Sequence, residues 1–258
     1  MKCSMPVYVP SRSRSERSLT LEALDGTWPT ALVVPQAQAR AYAALGKRHR
    51  VPVLACPVQG IARTRQWIGE HCRTSKFLML DDDLRFYKRT SEEVRLWKFE
   101  DGDMRDMLEY VSELLTKFAH VAIGAREGNN RMELPYVRCS RPLRALAYRK
   151  EPFLKCEHGR TAIMEDFDIT LQLFAMGYQN AVITRYAQDQ PQTQAPGGCS
   201  DYRTHKLHEA NVRRMAKMHN GFVKTRTKEN KTGGEFGKRL ELTIYWQRAW
   251  EAGMKDLL

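Results

Sequence analysis

Three consecutive carboxylates follow an apolar run near the start of the second third of the chain. Residues 77–80 are all apolar, which predicts a fully buried strand, and Asp81, Asp82 and Asp83 come directly after it. Adjacent carboxylates repel one another, and a bound cation offsets that repulsion. Hard oxygen ligands favour Mg²⁺ or Mn²⁺, usually with a phosphate in the coordination shell. The alternative interpretation is a solvated acidic turn after a strand.

A second acidic cluster, Glu165, Asp166 and Asp168, opens a helix predicted to run to Gly177. Capping is one explanation, because the helix dipole favours carboxylates in the first turn. Against it, the helix is apolar on nearly all sides, through Phe167, Ile169, Leu171, Leu173, Phe174 and Met176. A buried helix presents its N-terminal carboxylates to an enclosed site, where one of them can act as a general base.

Arginines occur in two segments where they could bind an anion. Pro10, Ser11 and Arg12 begin an Arg/Ser-rich turn after a short apolar strand, and guanidinium groups there can bind a phosphate or a nucleotide. Arg63 and Arg65 lie in the first turn of a helix opened by Gly60, where the helix dipole opposes cations. The alternative is that both arginines lie on the solvent face of that helix.

The elements that must position these residues alternate between strand and helix. Short apolar runs predict strands, at residues 7–9, 31–34, 51–55, 77–80, 120–124 and 181–183. Between them, the patterns predict helices at residues 18–25, at 36–45 with Gly46 as the stop, after Gly60, and from Asp103 to Phe118. This alternation predicts an α/β fold with a mostly parallel central sheet and helices on both faces.

Two segments are harder to interpret. Residues 84–102 are polar with interspersed aromatic and basic side chains, which predicts a loop that forms a pocket wall or contacts nucleic acid. A loop that tucks its aromatic side chains under itself is the alternative. Residues 137–148 predict either a hairpin or a pair of short strands around Pro142. Residues 189–200 are rich in turn formers and predict a mobile loop with a glycine hinge.

The charge of the chain is unevenly distributed. The formal net charge is +12, and the segment from residue 203 to 239 holds eleven Lys and Arg against three Asp and Glu. A basic strip of this kind neutralises phosphates by counterion release, although basic residues also simply solubilise surfaces. We predict that DNA contacts come from this strip, through Arg213, Arg214, Lys217, Lys224, Arg226 and Lys228.

Length and composition predict one core, formed by residues 1–202, with the basic residues 203–258 packing back on it. The six cysteines are scattered without C-x-x-C spacing, which is typical of reduced thiols. No apolar run approaches the ~20 residues of a membrane helix, and Pro6 and Pro10 interrupt any signal-peptide pattern. We therefore expect a cytoplasmic monomer that binds no membrane.

The order of these features resembles a GT-A glycosyltransferase. More closely, five short motifs resemble those of the TET-associated glycosyltransferases, a largely bacteriophage family linked to sugar transfer onto hydroxylated pyrimidine bases in DNA. The motifs are Tyr-Val-Pro-Ser-Arg at 8–12, Gly-Ile-Ala-Arg at 60–63, Leu-Asp-Asp-Asp at 80–83, Met-Glu-Asp-Phe-Asp at 164–168 and Gly-Gly-Cys-Ser at 197–200. The resemblance covers residues 5 to about 220 and is specific only as a combination.

The resemblance implies a sugar-donor site built from most of these motifs. A nucleoside-diphosphate sugar, for instance UDP-glucose, would be bound by Pro10, Ser11, Arg12, Arg63, Arg65, Asp81, Asp82, Gly197, Gly198 and Arg203. Asp83, with Asp81, would bind the Mn²⁺ or Mg²⁺ that bridges the diphosphate. Of the three aspartates, Asp82 is the one expected to be structural. A third metal ligand stays open among Asp189, His205, His208 and His219.

The resemblance also implies how the reaction proceeds. Asp166 would take the proton from the acceptor hydroxyl, supported by Glu165, if transfer inverts the anomeric centre. That assignment fails if transfer retains configuration. The acceptor would be a hydroxymethylated pyrimidine in DNA, such as hydroxymethylcytosine, reached either in the major groove or by base flipping. A phage-encoded enzyme would work in the host cytoplasm.

Two other functions stay open at this point. The first is a GT-A enzyme that acts on a glycan or a protein, and the basic strip favours DNA over it. The second is a nucleic-acid-binding module in which the acidic residues merely cap helices and the fold has lost its chemistry.

Overall fold

The computed structural model describes residues 5–90, 95–127, 132–190, 203–229 and 237–256. The strands are β1 Val7–Pro10, β2 Thr30–Pro35, β3 Val53–Cys56, β4 Lys76–Leu80, β5 Arg85–Arg89, β6 Leu96–Lys98, β7 His120–Ala125, β8 Tyr136–Arg138, β9 Ala145–Arg149, β10 Asn180–Asp189, β11 Val223–Glu229 and β12 Lys238–Ile244. The helices are α1 Leu19–Leu24, α2 Ala43–His49, α3 Ile61–His71, α4 Asp103–Leu114, α5 Lys150–Leu154, α6 Glu165–Ala175, α7 His205–Met218 and α8 Trp246–Lys255, with a 3₁₀ turn at Gln36–Gln38.

One mixed sheet forms the centre of the fold. Its strand order is β3-β2-β1-β4-β9-β7-β10-β5-β6, with β8 also paired to β10. Strands β1 to β4 run parallel, β7 and β10 run parallel, and β9 lies antiparallel between β4 and β7. The prediction of an α/β fold with a mostly parallel sheet is confirmed. The carboxyl ends of β1 to β4 therefore meet at one edge, where α/β proteins bind their ligands.

Helices cover both faces of this sheet, as predicted. Successive residues of a strand point to opposite faces, so Val7 and Val9 of β1 pack in one core and Tyr8 packs against the other. The first core includes apolar residues of α1, α2 and α4. The second includes Ile68 of α3 and Phe153 of α5, together with residues of α6.

A third apolar cluster joins the C-terminal elements to α6. Phe167 and Phe174 of α6 pack with residues of α7, β11, β12 and α8. Helix α8 approaches α6 so closely that a Cβ on Gly253 would lie 2.0 Å from the carbonyl oxygen of Phe174. Only glycine allows this approach, and the described residues after 203 thereby lie against the helix that carries the second acidic cluster.

The predicted helix over residues 36–45 is wrong in its bounds. The chain forms a 3₁₀ turn first, and α2 then runs from Ala43 to His49, with Arg50 at a φ of 55° as its C-cap. Gly46 does not end the helix but lies inside it. A Cβ at this position would meet Val53 Cγ2 at 2.5 Å, so glycine is required for packing rather than for a turn.

Residues 84–102 are not simply a loop. They contain β5, which pairs with β10, and β6, which pairs with β5, at one edge of the sheet. Phe86 and Tyr87 are buried. The flanking arginines and lysine hid the strand signal in the sequence, because an edge strand tolerates charged residues on its exposed side.

The segment 137–148 forms two short strands that do not pair with each other. Strand β8 pairs with β10, whereas β9 pairs with β4 and β7. Of the two predictions for this segment, the pair of strands is confirmed and the hairpin is not. In the described residues, no helix is both long enough and apolar enough to cross a membrane.

Candidate active site

A cavity of about 690 Å³ opens where the carboxyl ends of β1 to β4 meet the N-terminus of α6. This volume is in the range of about 300–1,000 Å³ that is usual for small-molecule sites. Both acidic clusters reach the cavity, through Asp81, Asp82, Asp83, Glu165 and Asp166. We call the aspartates after β4 the strand cluster, and Glu165, Asp166 and Asp168 the helix cluster.

Arg65 of α3 connects the two clusters. Its Nη2 donates to Asp81 Oδ1 at 3.1 Å and its Nη1 donates to Glu165 Oε1, while the Arg65 side chain is only 8% exposed. Burial raises the pKa of Asp81 to about 6 and that of Glu165 to about 7, and the Arg65 charge limits both increases. Arg65 therefore holds two desolvated carboxylates together and acts as an internal counterion.

Asp82 is held by the turn that follows β1. It accepts a hydrogen bond from Ser11 Oγ and another from Arg14 Nη1 at 2.7 Å, and the residue is 5% exposed. The Ser11 hydroxyl also contacts the Tyr42 hydroxyl at 3.0 Å, which in turn accepts from the Arg14 backbone N–H at 2.8 Å. This network holds the Asp82 side chain in place, and both its structural role and its contact with the sugar donor stay predictions.

Arg14 also pairs with Asp83, which is more exposed than Asp82. Arg14 Nη1 contacts Asp83 Oδ2 at 2.8 Å, and the Asp83 side chain is 22% exposed, against 7% for Asp82. The sequence analysis did not assign Arg14 to the site. Its only signal was its place in the Arg/Ser-rich turn.

Asp166 faces the cavity from the first turn of α6. One of its carboxylate oxygens, Oδ1, accepts from the Phe167 backbone N–H at 3.0 Å, and the side chain is partly exposed. Burial raises its pKa, and the nearby guanidinium groups of Arg65 and Arg141 oppose the rise. A carboxylate with a raised pKa accepts a proton more readily near neutral pH, which suits a general base.

Asp168 turns away from this cavity although it is only two residues further along the helix. Arg160 contacts it through Nε at 3.0 Å and through Nη2, and His219 Nε2 lies 2.7 Å from its Oδ1. Burial raises its pKa, but the hydrogen bonds from His219 and Arg160 outweigh that effect and lower it. Asp168 ties α6 to the end of α7, a role that the sequence did not indicate.

A sequence model of the TET-Associated Glycosyltransferase family matches residues 5–198. The chain belongs to this family. It is 23% identical over 222 residues to the "Beta-glucosyl-HMC-alpha-glucosyl-transferase" of Enterobacteria phage T6, an alignment that covers 78% of this chain and 76% of the phage protein. The prediction that the chain is a glycosyltransferase is confirmed, and the interpretation as a non-catalytic binding module is set aside.

Solved structures share the fold of this glycosyltransferase at low identity. Residues 1–349 of S. aureus TarS, in complex with UDP-GlcNAc, superpose with a TM-score of 0.52 at 13% identity, over 83% of this chain and 66% of that one. A mycobacterial protein superposes with a TM-score of 0.50 at 11% identity, over 94% of this chain and 84% of that one. At such identities the likeness establishes the fold alone.

The structure brings most of the predicted donor residues of the glycosyltransferase to one cavity. Pro10, Ser11, Arg12 and Arg203 line it together with the strand cluster. Arg63 does not line it, because it lies on the exposed side of α3 and donates to Gln66 Oε1 at 2.9 Å. The alternative of a solvent-facing arginine thus applies to Arg63 and not to the buried Arg65. Gly197 and Gly198 lie outside the described residues, as does the predicted loop at 189–200 except for its first two residues.

The predicted DNA-binding residues separate into two groups. Arg226 and Lys228 of β11 line the catalytic cavity. Arg213, Arg214 and Lys217 are exposed on α7 and do not line it, and Lys224 of β11 lies 5.7 Å from the ring of Tyr245. The cavity also includes residues that the sequence analysis did not single out for the site, namely Thr64, Arg141, Arg144, Arg239 and Trp246. Their proximity arises from tertiary packing and left no local motif.

The donor set of the cavity fits a hard divalent cation in part. Asp81 and Asp83 present carboxylate oxygens to the same cavity, and these are ligands that Mg²⁺ and Mn²⁺ prefer. Within the described part of the chain, however, no group of three or more His, Cys, Asp or Glu side chains could hold a metal. With Asp81 and Asp83 as protein ligands, a bound metal would take its other ligands from a diphosphate and from water.

The candidates for a third protein ligand mostly have other partners. Asp189 pairs with Arg126 at 3.4 Å, and His219 pairs with Asp168. His205 Nε2 contacts the Lys238 carbonyl at 3.0 Å. His208 lines the cavity, but its Nε2 contacts the Leu240 carbonyl at 2.8 Å. None of the four joins the strand cluster.

Proposed function

We propose that this glycosyltransferase moves a sugar from a nucleoside-diphosphate sugar to the hydroxyl of a hydroxymethylated pyrimidine in DNA, with the help of Mg²⁺ or Mn²⁺. One observation carries this proposal: Asp166 and the strand cluster line the same cavity, and basic side chains from β11 and β12 line it as well. A proton acceptor, a metal and diphosphate region, and a polyanion-binding wall thus occupy one space.

The donor is proposed to lie along the turn after β1. Pro10, Ser11 and Arg12 follow the nucleotide, and the N-terminus of α3 offers backbone N–H groups to the same space, because Gly60, Ile61 and Thr64 line it. Asp81 and Asp83 would hold the divalent cation, which when bound stabilises the charge on the departing diphosphate. Arg203 also lines this cavity and is proposed to contact the phosphates.

Asp166 is proposed to be the general base for transfer with inversion. The acceptor oxygen forms a bond to the anomeric carbon, the bond from that carbon to the diphosphate oxygen breaks, and the acceptor proton passes to an Asp166 carboxylate oxygen. Glu165 keeps Arg65 in place beside it. The nucleoside diphosphate leaves with the bonding electrons.

The DNA acceptor is supported by the phage T6 relative, whose name describes an alpha-glucosyl-transferase of beta-glucosyl-HMC, and by the charge of the segment after residue 203. Hydroxymethylcytosine is therefore the first acceptor to test, with UDP-glucose as the first donor. We also propose that residues 1–202 form the catalytic core and that residues 203–258 serve the acceptor.

The test is to incubate the protein with hydroxymethylated DNA, Mn²⁺ and a panel of nucleotide sugars, and then to digest the DNA to nucleosides for mass spectrometry. The expected result is a nucleoside that gains the mass of one sugar, and an Asp83→Ala variant should lose this product. If no nucleoside gains a sugar mass with any donor, the DNA acceptor is wrong. A glycan or protein acceptor then takes its place.

A further inference from the structure

We infer that the antiparallel pair β11 and β12, which we call the ribbon, binds the backbone phosphates of the acceptor DNA beside the reacting nucleotide. The residues concerned are Arg226, Lys228 and Arg239. This inference rests on the proposed function and deepens it, because it assigns the DNA contact to one face of one element. The exposed arginines of α7 are then secondary.

The ribbon stands next to the proposed general base. Its residues Leu242 and Ile244 pack in the same apolar cluster as Phe167, and the ring of Phe167 lies 5.5 Å from that of Trp246, just after the ribbon. Phe167 directly follows Asp166 in the chain. Because the base must touch the acceptor hydroxyl, an element fixed beside it lies on the acceptor side of the cavity.

The register of the ribbon collects cations on one face. Arg226 lies opposite Glu241, and Lys228 lies opposite Arg239. Alternate residues of a strand share a face, so Lys224, Arg226 and Lys228 form a row. This row spans about 13 Å at the strand rise of about 3.3 Å per residue. Measured along the DNA helix axis, the same distance corresponds to about four phosphates of one strand, at a rise of about 3.4 Å each.

The charge on this face is only partly neutralised by the protein. Glu241 accepts from Arg239 Nε at 2.6 Å. Within the residues that the structure describes, neither Arg226 nor Lys228 forms an ion pair, and both are exposed. A row of cations that the protein neutralises only in part suits a chain of phosphates better than the two phosphates of a sugar donor, for which the α3 terminus and the β1 turn are proposed.

The experiment compares three double variants that each remove two positive charges. Arg226→Ala/Lys228→Ala alters the ribbon, Arg213→Ala/Arg214→Ala alters α7, and Arg105→Ala/Lys117→Ala alters exposed positions around α4 that are remote from the cavity lining. Fluorescence anisotropy gives the affinity of each for a 20-base-pair duplex containing hydroxymethylcytosine, over a KCl series. Calorimetry gives the affinity for UDP with Mn²⁺, and circular dichroism checks folding.

We expect the ribbon variant to lose the most DNA affinity, about tenfold or more at low salt. The slope of log affinity against log salt should fall by about 1.8, since each phosphate contact contributes about 0.9. Its UDP affinity should stay within about twofold of wild type. The α7 variant should lose less DNA affinity than the ribbon variant, and the α4 variant should lose the least.

Two results would overturn the inference while leaving the proposed function intact. In the first, wild type glycosylates the duplex but the three variants lose DNA affinity equally, or the α7 variant loses most. In the second, the ribbon variant loses UDP affinity and keeps DNA affinity, which makes the ribbon a donor site. If wild type neither binds nor glycosylates the duplex, the proposed function and the inference fail together.

Discussion

The strand cluster and the helix cluster each contain three acidic residues within four positions. The acids of the two clusters have similar kinds of partners. In each cluster one aspartate is buried in a structural network, namely Asp82 with Ser11 and Arg14, and Asp168 with Arg160 and His219. One acid of each cluster, Asp81 or Glu165, shares the guanidinium of Arg65. The remaining acids are Asp83, the proposed metal ligand together with Asp81, and Asp166, the proposed general base.

The two clusters differ in the partners of Asp83 and Asp166. Asp83 pairs with Arg14 at 2.8 Å, whereas Asp166 forms no ion pair within the described residues and accepts a hydrogen bond from the Phe167 backbone N–H. Asp83 could bind a metal cation in place of Arg14 if the Arg14 side chain moves away. Asp166 is partly buried and burial raises its pKa, although the nearby Arg65 and Arg141 oppose the rise, so its carboxylate accepts a proton more readily than an exposed one. Under the proposed function, the strand cluster would bind the metal and the helix cluster would supply the general base.

The largest effect is expected from Asp166→Asn, which tests the proposed general base. We expect the rate of transfer to fall by about 10²–10⁴, because general base catalysis is worth about that much, while UDP affinity stays nearly unchanged. The matched control is Asp168→Asn, two residues away, which should reduce stability more than turnover. Product NMR should show an inverted anomeric centre. Full activity of the Asp166 variant, or retention of configuration, would remove Asp166 from the role of base.

Removal of the shared counterion tests the connection between the clusters. Arg65→Met leaves the buried Glu165 and the partly exposed Asp81 without their shared partner, and we expect the free energy of unfolding in urea to fall by about 3–5 kcal/mol. Arg63→Met, on the exposed side of the same helix, is the control and should change stability little. Equal effects from both substitutions would contradict the role assigned to Arg65.

A smaller effect is expected from Arg14→Ala. Asp82 loses a charge-assisted hydrogen bond, which should lower the free energy of unfolding by about 1.5–3 kcal/mol. Asp83 loses its competing cation, so Mn²⁺ should bind more tightly in the presence of UDP, as measured by calorimetry. Arg17→Ala, which removes an exposed pair with Glu22, should change neither quantity. Weaker Mn²⁺ binding in the Arg14 variant would show that Arg14 supports the metal site rather than competing with it.

The smallest expected effect is a pH dependence of Glu165→Gln. Burial raises the pKa of Glu165 to about 7 from its ordinary value of 4.5, so the wild type must bind a proton on folding between these values. Its stability contribution is present below pH 4.5 and is lost as pH rises through 7. The stability of the variant relative to wild type should therefore improve as the pH rises from 4.5 to 7.5 in urea titrations. A constant difference would mean that Glu165 is ionised throughout.

Much of this site was predictable because its acidic residues follow recognisable elements. The strand before Asp81 and the helix after Met164 both have strong apolar patterns, and the carboxyl edge of a parallel sheet is where such elements deliver side chains. The strands β5 and β6 were missed because they carry several basic residues, of which Arg85 and Lys98 are exposed. The end of α2 was misplaced because Gly46 serves packing against Val53 and not termination.

Arginine roles were the least predictable part. Arg63 and Arg65 are two residues apart on one helix, and the sequence treats them alike, yet one is exposed and the other is buried between two carboxylates. A helix turn of about 100° per residue places such neighbours on different faces. Which face meets the acids depends on how α3 packs against the sheet.

By itself, the sequence determined the class of fold, the family and the two acidic clusters, because apolar periodicity and short motifs are local properties of the chain. Only the tertiary structure decided which acid of each cluster stays available, which arginines neutralise the others, and that Arg226 and Lys228 line the same cavity as Asp166. The physical reason is that the state of a carboxylate depends on its burial and its counterions. Those are supplied by residues as far as 100 positions away, as between Arg65 and Glu165.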